Sequence, residues 1–155
     1  MPAGPSTVDE MANAAFWFGL MAEWGAREED ITQRIDFDQA GANFYTAARE
    51  GLGATFTWLD GEDVTARDLV LERLLPAAEA GLRRQQIADA DIKRYLGIIE
   101  ARVRTARTGA RWQLSSWNSL RGSAAAGVRA NALVAATVQR QQTGRPVSDW
   151  ERARL

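Results

Sequence analysis

The chain has 155 residues, 46% of them hydrophobic and 25% charged, with 19 basic against 20 acidic side chains and a net charge of −1. That size fits one domain around one modest core, and the charge balance gives no general attraction to nucleic acid or to an acidic membrane. Cysteine and histidine are both absent, which excludes a thiol nucleophile, a histidine base, disulfides and the common zinc ligand sets.

Taken in chain order, Pro2 to Pro5 is a breaker segment. TVDE (7–10) reads as a capping box in which the Thr7 hydroxyl takes the Glu10 amide. A helix is predicted from there to about Trp24, stopping near Gly25. Its Met11, Phe16, Trp17, Phe18, Leu20, Met21 and Trp24 leave no polar face. A helix apolar all round needs cover on every side, and a chain this short has few elements to provide it. Partner surface is therefore expected, from another subunit or from an absent part of the same chain. The longest apolar run, Ala14 to Ala22, is half a membrane span, and no signal peptide is visible, so the cytoplasm is the expected compartment.

EEDITQRI (28–35) predicts a short helix. DFDQAGANFYTAAREGL (36–52) predicts another, with Phe37, Ala40, Phe44, Ala47 and Ala48 at helical spacing and Gly51 or Gly53 as the stop. ATFTWL (54–59), DG (60–61) and EDV form a hairpin signal; a lone hairpin is marginal in water, so it is expected to join a larger sheet. TARD (65–68) opens a helix whose face is Leu71, Leu74, Leu75, Ala78 and Leu82, with a kink or restart at Pro76. Asp89 is read as the cap of the next helix, whose face is Ile92, Tyr95, Leu96, Ile99 and Val103. The two faces share one spacing, which predicts an antiparallel αα-hairpin. A last helix is expected from about Ser123 to Gln142, with Trp150 of the short tail docking on the body. No Gly-rich phosphate loop, HExxH or EF-hand loop is present, and no carboxylate pair stands out as an acid/base couple. The fold class is thus mainly α: a helical bundle with an αα-hairpin and one β-hairpin, residues 1–155 forming a single domain.

Eighteen of the 19 basic residues are arginine, Lys93 being the one lysine. RTGARWQ (107–113) places two arginines, a glycine and an amide together where a helix end would need only the glycine. Arginine offers a planar fork that meets both oxygens of a carboxylate or phosphate. Plainer readings stand beside this one. Gly109 serves as a helix C′ glycine, Arg107 and Arg111 serve the helix dipole or solvent, and Asn43 packs in a helix. Phe16, Trp17, Trp24, Trp58 and Trp117 read as core or interface rather than a stacking platform.

Two stretches together carry a resemblance. ANFYTAAREGL (42–52) resembles the N-x-W-x-A-x-R-x-G-L segment of the type 2 glutamate–cysteine ligase family, the carboxylate–amine ligases, and RTGARWQ resembles its later T-G-A-x-x-Q segment. ARDLVLERLLPAAEAGL (66–82), GPSTVDEMANAAFWFGLM (4–21) and GRPVSDW (144–150) are similar to intervening and flanking segments. Tyr45 stands where the family often has tryptophan, and Phe44 where a basic residue is common. The family is related to glutamine synthetase. Its antiparallel sheet forms an active-site funnel and couples ATP cleavage, with Mg²⁺ on acidic residues of the sheet, to amide formation between a carboxylate and an amine.

The resemblance implies that the chain is the C-terminal part of such a ligase, a fragment of an α+β glutamine synthetase-like fold. Asn43, Arg49, Arg107, Gly109 and Gln113 would then be substrate-binding residues: the arginines hold anionic groups, the amides hydrogen-bond across the site, and Gly109 lets backbone approach the ligand. ATP and Mg²⁺ would serve the full-length ligase and none would bind this chain alone, which is predicted inactive in isolation. The implied partners are the N-terminal sheet portion or another subunit, a homo-oligomer included, and a small-molecule substrate; nucleic acid and membrane are not expected. The alternative is an independent, non-catalytic helical binding or scaffold module.

Overall fold

The computed structural model describes residues 4–122 and 124–155. It is mainly helical with one two-stranded antiparallel sheet. Helices α1 (Thr7–Trp24), α2 (Phe37–Glu50), α3 (Ala66–Asp68), α4 (Leu75–Arg84), α5 (Asp89–Arg104), α6 (Gly109–Ser119) and α7 (Ala126–Gln142) accompany strands β1 (Thr55–Thr57) and β2 (Asp63–Thr65). The chain divides into two compact units, residues 16–92 and residues 1–15 with 93–155, so the boundary falls within α1 and within α5.

In the discontinuous unit, the start of α1 differs from the TVDE reading by one residue. The Ser6 hydroxyl accepts the Asp9 amide at 3.3 Å and donates to the Asp9 carboxylate at 2.7 Å, while the Glu10 amide bonds the Ser6 carbonyl. Ser6 therefore caps the helix and Thr7 is its first residue. Asp9 is fully buried. Its carboxylate also accepts from Arg102 of α5 at 2.7 Å and from the Val147 amide at 3.0 Å, and Arg102 reaches Asn13 at 2.7 Å. A buried carboxylate needs all of these partners to offset its lost hydration.

The main apolar cluster of this unit is Trp112, Leu120, Ala136, Val147, Trp150 and Ala153. The two indoles meet edge-on with centroids 5.1 Å apart, so Trp150 docks as expected. Residues 147–154 carry only one 3-10 turn, and side chains satisfy much of their backbone. Arg107 donates to the Ser148 carbonyl, Trp112 and Arg140 to that of Glu151, and Arg140 also to that of Arg152; the buried Ser116 hydroxyl accepts the Ala153 amide. Helix α7 begins at Ala126, and Ser123, its expected start, lies outside the described residues.

In the continuous unit, segment 28–35 forms a single 3-10 turn (Ile31–Gln33) rather than a longer helix. The Asp30 carboxylate accepts both the amide and the hydroxyl of Thr32, closing a tight local turn that competes with α-helix. Helix α2 starts at its Asp36 cap and ends at Gly51 with φ 55°, but its packing is inverted. Phe37, Phe44 and Tyr45 are 89%, 71% and 70% exposed, while Gln39, Asn43 and Thr46 turn inward. The hairpin forms with Phe56 opposite Val64, and among the described residues its sheet has two strands.

From Thr65, whose hydroxyl accepts the Asp68 amide, α3 leads into a π-helical segment (Leu69–Leu74) and then α4. Pro76 has no N–H to offer the turn behind it, and the backbone widens there, the Leu75 amide bonding Val70. The extra residue rotates the buried face: Leu69, Leu75, Ala78 and Leu82 are buried, and Leu71 and Leu74 only half so. Asp89 is the first residue of α5 and not its cap, since the Ala88 carbonyl takes the Asp91 and Ile92 amides. Helix α1 covers α4 on one side only. A Cβ on Gly81 would lie 1.9 Å from the Gly19 carbonyl oxygen, and one on Gly19 would lie 2.3 Å from that of Ala78. The backbones touch there, and Trp17, Phe18, Met21 and Trp24 of α1 remain exposed.

Two outcomes follow for stability. Gly81→Ala, with no room for its methyl group, is expected to cost about 1–3 kcal/mol, whereas Gly41→Ala, open to solvent inside α2, is expected to gain about 0.5–1 kcal/mol; urea unfolding of the two variants checks the opposite signs. Asp9→Ala leaves the part-buried Arg102 without its counter-ion and is expected to lose up to about 3–5 kcal/mol in the same measurement.

Candidate functional site

The arginine of the 31–35 turn organises one candidate site, within the continuous unit. Arg34 spans two carboxylates, bonding Asp60 through Nε at 3.0–3.1 Å and through Nη2, and Glu29 through Nη1 at 2.8 Å. The Asp60 amide returns to the Arg34 carbonyl at 2.8 Å. Asp60 sits at φ 60°, a left-handed conformation that aspartate tolerates in turns. The fork thus pins the hairpin tip to the turn before α2. Bonding to Arg34 holds the Asp60 carboxyl below its ordinary range and raises the Arg34 guanidinium.

Beside this clasp lies a cavity of about 360 Å³ lined by Trp24, Arg27, Glu29, Ile31, Ile35, Ala40, Asn43, Trp58 and Leu59. Asn43 enters its wall because α2 packs its polar side on the hairpin. Its amide nitrogen donates to the Thr57 carbonyl at 2.7 Å and its oxygen accepts from Gln39 at 3.3 Å. Arg49 lies six residues further along α2, roughly 120° around the helix. Its side chain is 79% exposed, with Glu50 at 3.9 Å, and it is not among the cavity's lining residues. The structure therefore places Asn43 and Arg49 on different faces of one helix.

The other predicted residues lie in the discontinuous unit. The last turn of α5 closes with Ala106 at φ 52° and the Arg107 amide on the Arg102 carbonyl. Ala106 thus takes the C′ position suggested for Gly109. Thr108 caps α6, its hydroxyl accepting the Arg111 amide, and Gly109 is the first residue of that helix. A Cβ on Gly109 would lie 2.7 Å from the Pro5 ring, so the close approach that Gly109 permits here is that of Pro5. A cleft of about 530 Å³ runs between the start of α6 and the tail, carrying Arg107, Arg111 and Arg152 with Asp149, Glu151, Trp112 and Trp150. One Arg107 donor holds the Ser148 carbonyl at 2.9 Å. Among the described residues no carboxylate lies within ion-pair distance of Arg107 or Arg111. Gln113 is exposed on α6 and does not line this cleft.

Sequence reasoning missed the residues on which these sites rest. Asp9 was hidden inside an apparent capping box, although SxxD at 6–9 is itself a capping pattern. Arg34 and Asp60 carry no local signal, because their pairing spans 26 residues.

The sequence model of "glutamate-cysteine ligase family 2" matches residues 1–145. The chain belongs to this family. No curated protein and no solved structure matches it. Among the described residues of this family member, no three histidine, cysteine or acidic side chains converge to hold a metal ion. Nor, among the described residues, is any helix long and apolar enough to cross a membrane.

The Asp60 shift sets an acid response. A carboxyl lowered in the folded state contributes stability that is present above its unfolded value, about 3.9, and lost as pH falls through the lower folded value. Wild type is therefore expected to lose Tm as pH drops below about 4, and Asp60→Asn to lose less over the same window; calorimetry across pH 2.5 to 6 (roughly, the span bracketing that value) reads the difference.

Proposed function

We propose that the chain is the C-terminal portion of an ATP-dependent carboxylate–amine ligase of the glutamate–cysteine type, working in the cytoplasm. In this reading it supplies substrate-anion-binding residues and helical packing, and it is not catalytic alone. The observation that carries the proposal is the family match over residues 1–145.

The geometry supports the division of labour. Arg107 and Arg111 line a cleft that also carries Asp149 and Glu151, but among the described residues neither arginine is ion-paired, which leaves both able to meet a substrate carboxylate or phosphate. Arg49 stands exposed at the end of α2 with only a long contact to Glu50. The exposed aromatic faces of α1 and α2, Trp17, Phe18 and Met21 on one and Phe37, Phe44 and Tyr45 on the other, are the kind of surface a sheet or another subunit covers. Nucleotide and Mg²⁺ belong, in this reading, to the sheet portion.

The test is reconstitution. The chain alone, given MgATP, glutamate and cysteine, is expected to release no phosphate. Combined with the sheet-bearing portion of a family member it is expected to form the amide. In that assembly Arg49→Ala and Arg107→Ala each lower kcat/KM by about 10–100-fold, the loss of one charge-assisted hydrogen bond. Arg49→Ala leaves Tm unchanged, and Arg107→Ala costs only the bond to Ser148, about 1 kcal/mol. Turnover by the chain alone, or full activity of both variants, overturns the reading.

A further inference from the structure

The cavity beside the Arg34 clasp has a charge pattern that its apolar lining does not require. Glu23 is shared by two guanidinium groups, Arg27 at 3.1 Å and Arg84 at 3.0 Å. That trio carries one surplus positive charge, and Arg27 is its member on the cavity wall. Arg34 is shared by Glu29 and Asp60. That trio carries one surplus negative charge, and Glu29, two residues along the chain from Arg27, is its member on the wall. Trp24, Trp58, Ile31, Ile35 and Leu59 supply the apolar lining.

We propose that this cavity binds a free amino acid with a branched or aromatic side chain, its carboxylate on Arg27, its ammonium on Glu29 and its apolar side chain against Trp24 and Trp58. The volume, about 360 Å³, falls at the small end of sites for compact ligands, roughly 300–1,000 Å³. A zwitterion answers both surpluses at once, and an apolar side chain answers the walls; a simple acid, a simple amine or a small polar amino acid answers only part. Asn43 is committed to Thr57 and Gln39, so it shapes the wall rather than choosing the ligand. The proposal stands on the cavity alone and not on the ligase reading.

Two of the chain's six tryptophans line the cavity, so tryptophan fluorescence, with calorimetry beside it, reports occupancy. The probes are L-leucine and L-phenylalanine, with 4-methylpentanoate, isoamylamine and glycine as analogues lacking the ammonium, the carboxylate and the apolar side chain. The full chain is expected to bind leucine or phenylalanine saturably and each analogue at least ~10-fold more weakly. Arg27→Gln is expected to weaken leucine by about 10–100-fold while leaving isoamylamine unchanged, and Glu29→Gln to weaken isoamylamine while leaving 4-methylpentanoate unchanged. Both positions are solvent-exposed, and Tm measured for each variant confirms that it is folded. No saturable signal from either amino acid, equal affinity for the analogues, or an Arg27→Gln variant that binds leucine as wild type does would overturn the proposal.

Discussion

The Asp9 carboxylate is the point on which the discontinuous unit depends. It joins the cap of α1, the guanidinium of α5 and the amide that opens the tail. With no exposure to solvent, its lost hydration is offset only while all three segments are in place. The tail has little regular structure, so its placement relies on such side-chain bonds. Arg107, Trp112 and Arg140 hold its carbonyls, and the wall they build is one side of the arginine cleft.

The continuous unit is held differently. Contact between α1 and α4 is backbone on backbone at Gly19, Ala78 and Gly81, which fixes the crossing through shape alone. The Arg34 clasp then ties the hairpin to the segment before α2 by charge. Its carboxylates and guanidinium are open to solvent, so it orders the surface more than it stabilises the unit. Packing on the hairpin uses the polar side of α2, through Asn43 and Gln39, and leaves the aromatic side outward.

Much of the helical framework was readable because its signals are local. Thr65 and Asp36 cap, Gly51 stops, Pro76 interrupts, and the Ile92–Val103 face repeats at helical spacing. Other signals misled by one to three positions. The cap of α1 is Ser6 rather than Thr7, and the C′ residue after α5 is Ala106 rather than Gly109, because capping patterns overlap when several small polar or glycine residues are adjacent. Of the candidate residues, Asn43 and Arg107 were found on cavity walls, while Arg49, Gly109 and Gln113 were not.

By itself the sequence determined most of the longer helices, the hairpin and the family, since each is written in residue types at short range or in the order of motifs; it did not give α6 (Gly109–Ser119), and it gave a helix at 28–35 where a single 3-10 turn forms. Which faces meet was decided only by the tertiary structure. Periodicity marks Phe37, Ala40, Phe44, Ala47 and Ala48 as an apolar stripe, but it does not say whether this chain contains the surface that covers it. The burial of Asp9 with Arg102, and the pairing of Arg34 with Asp60 and Glu29, join residues distant in sequence. Their energy comes from desolvation and geometry, which exist only once the chain has closed around them.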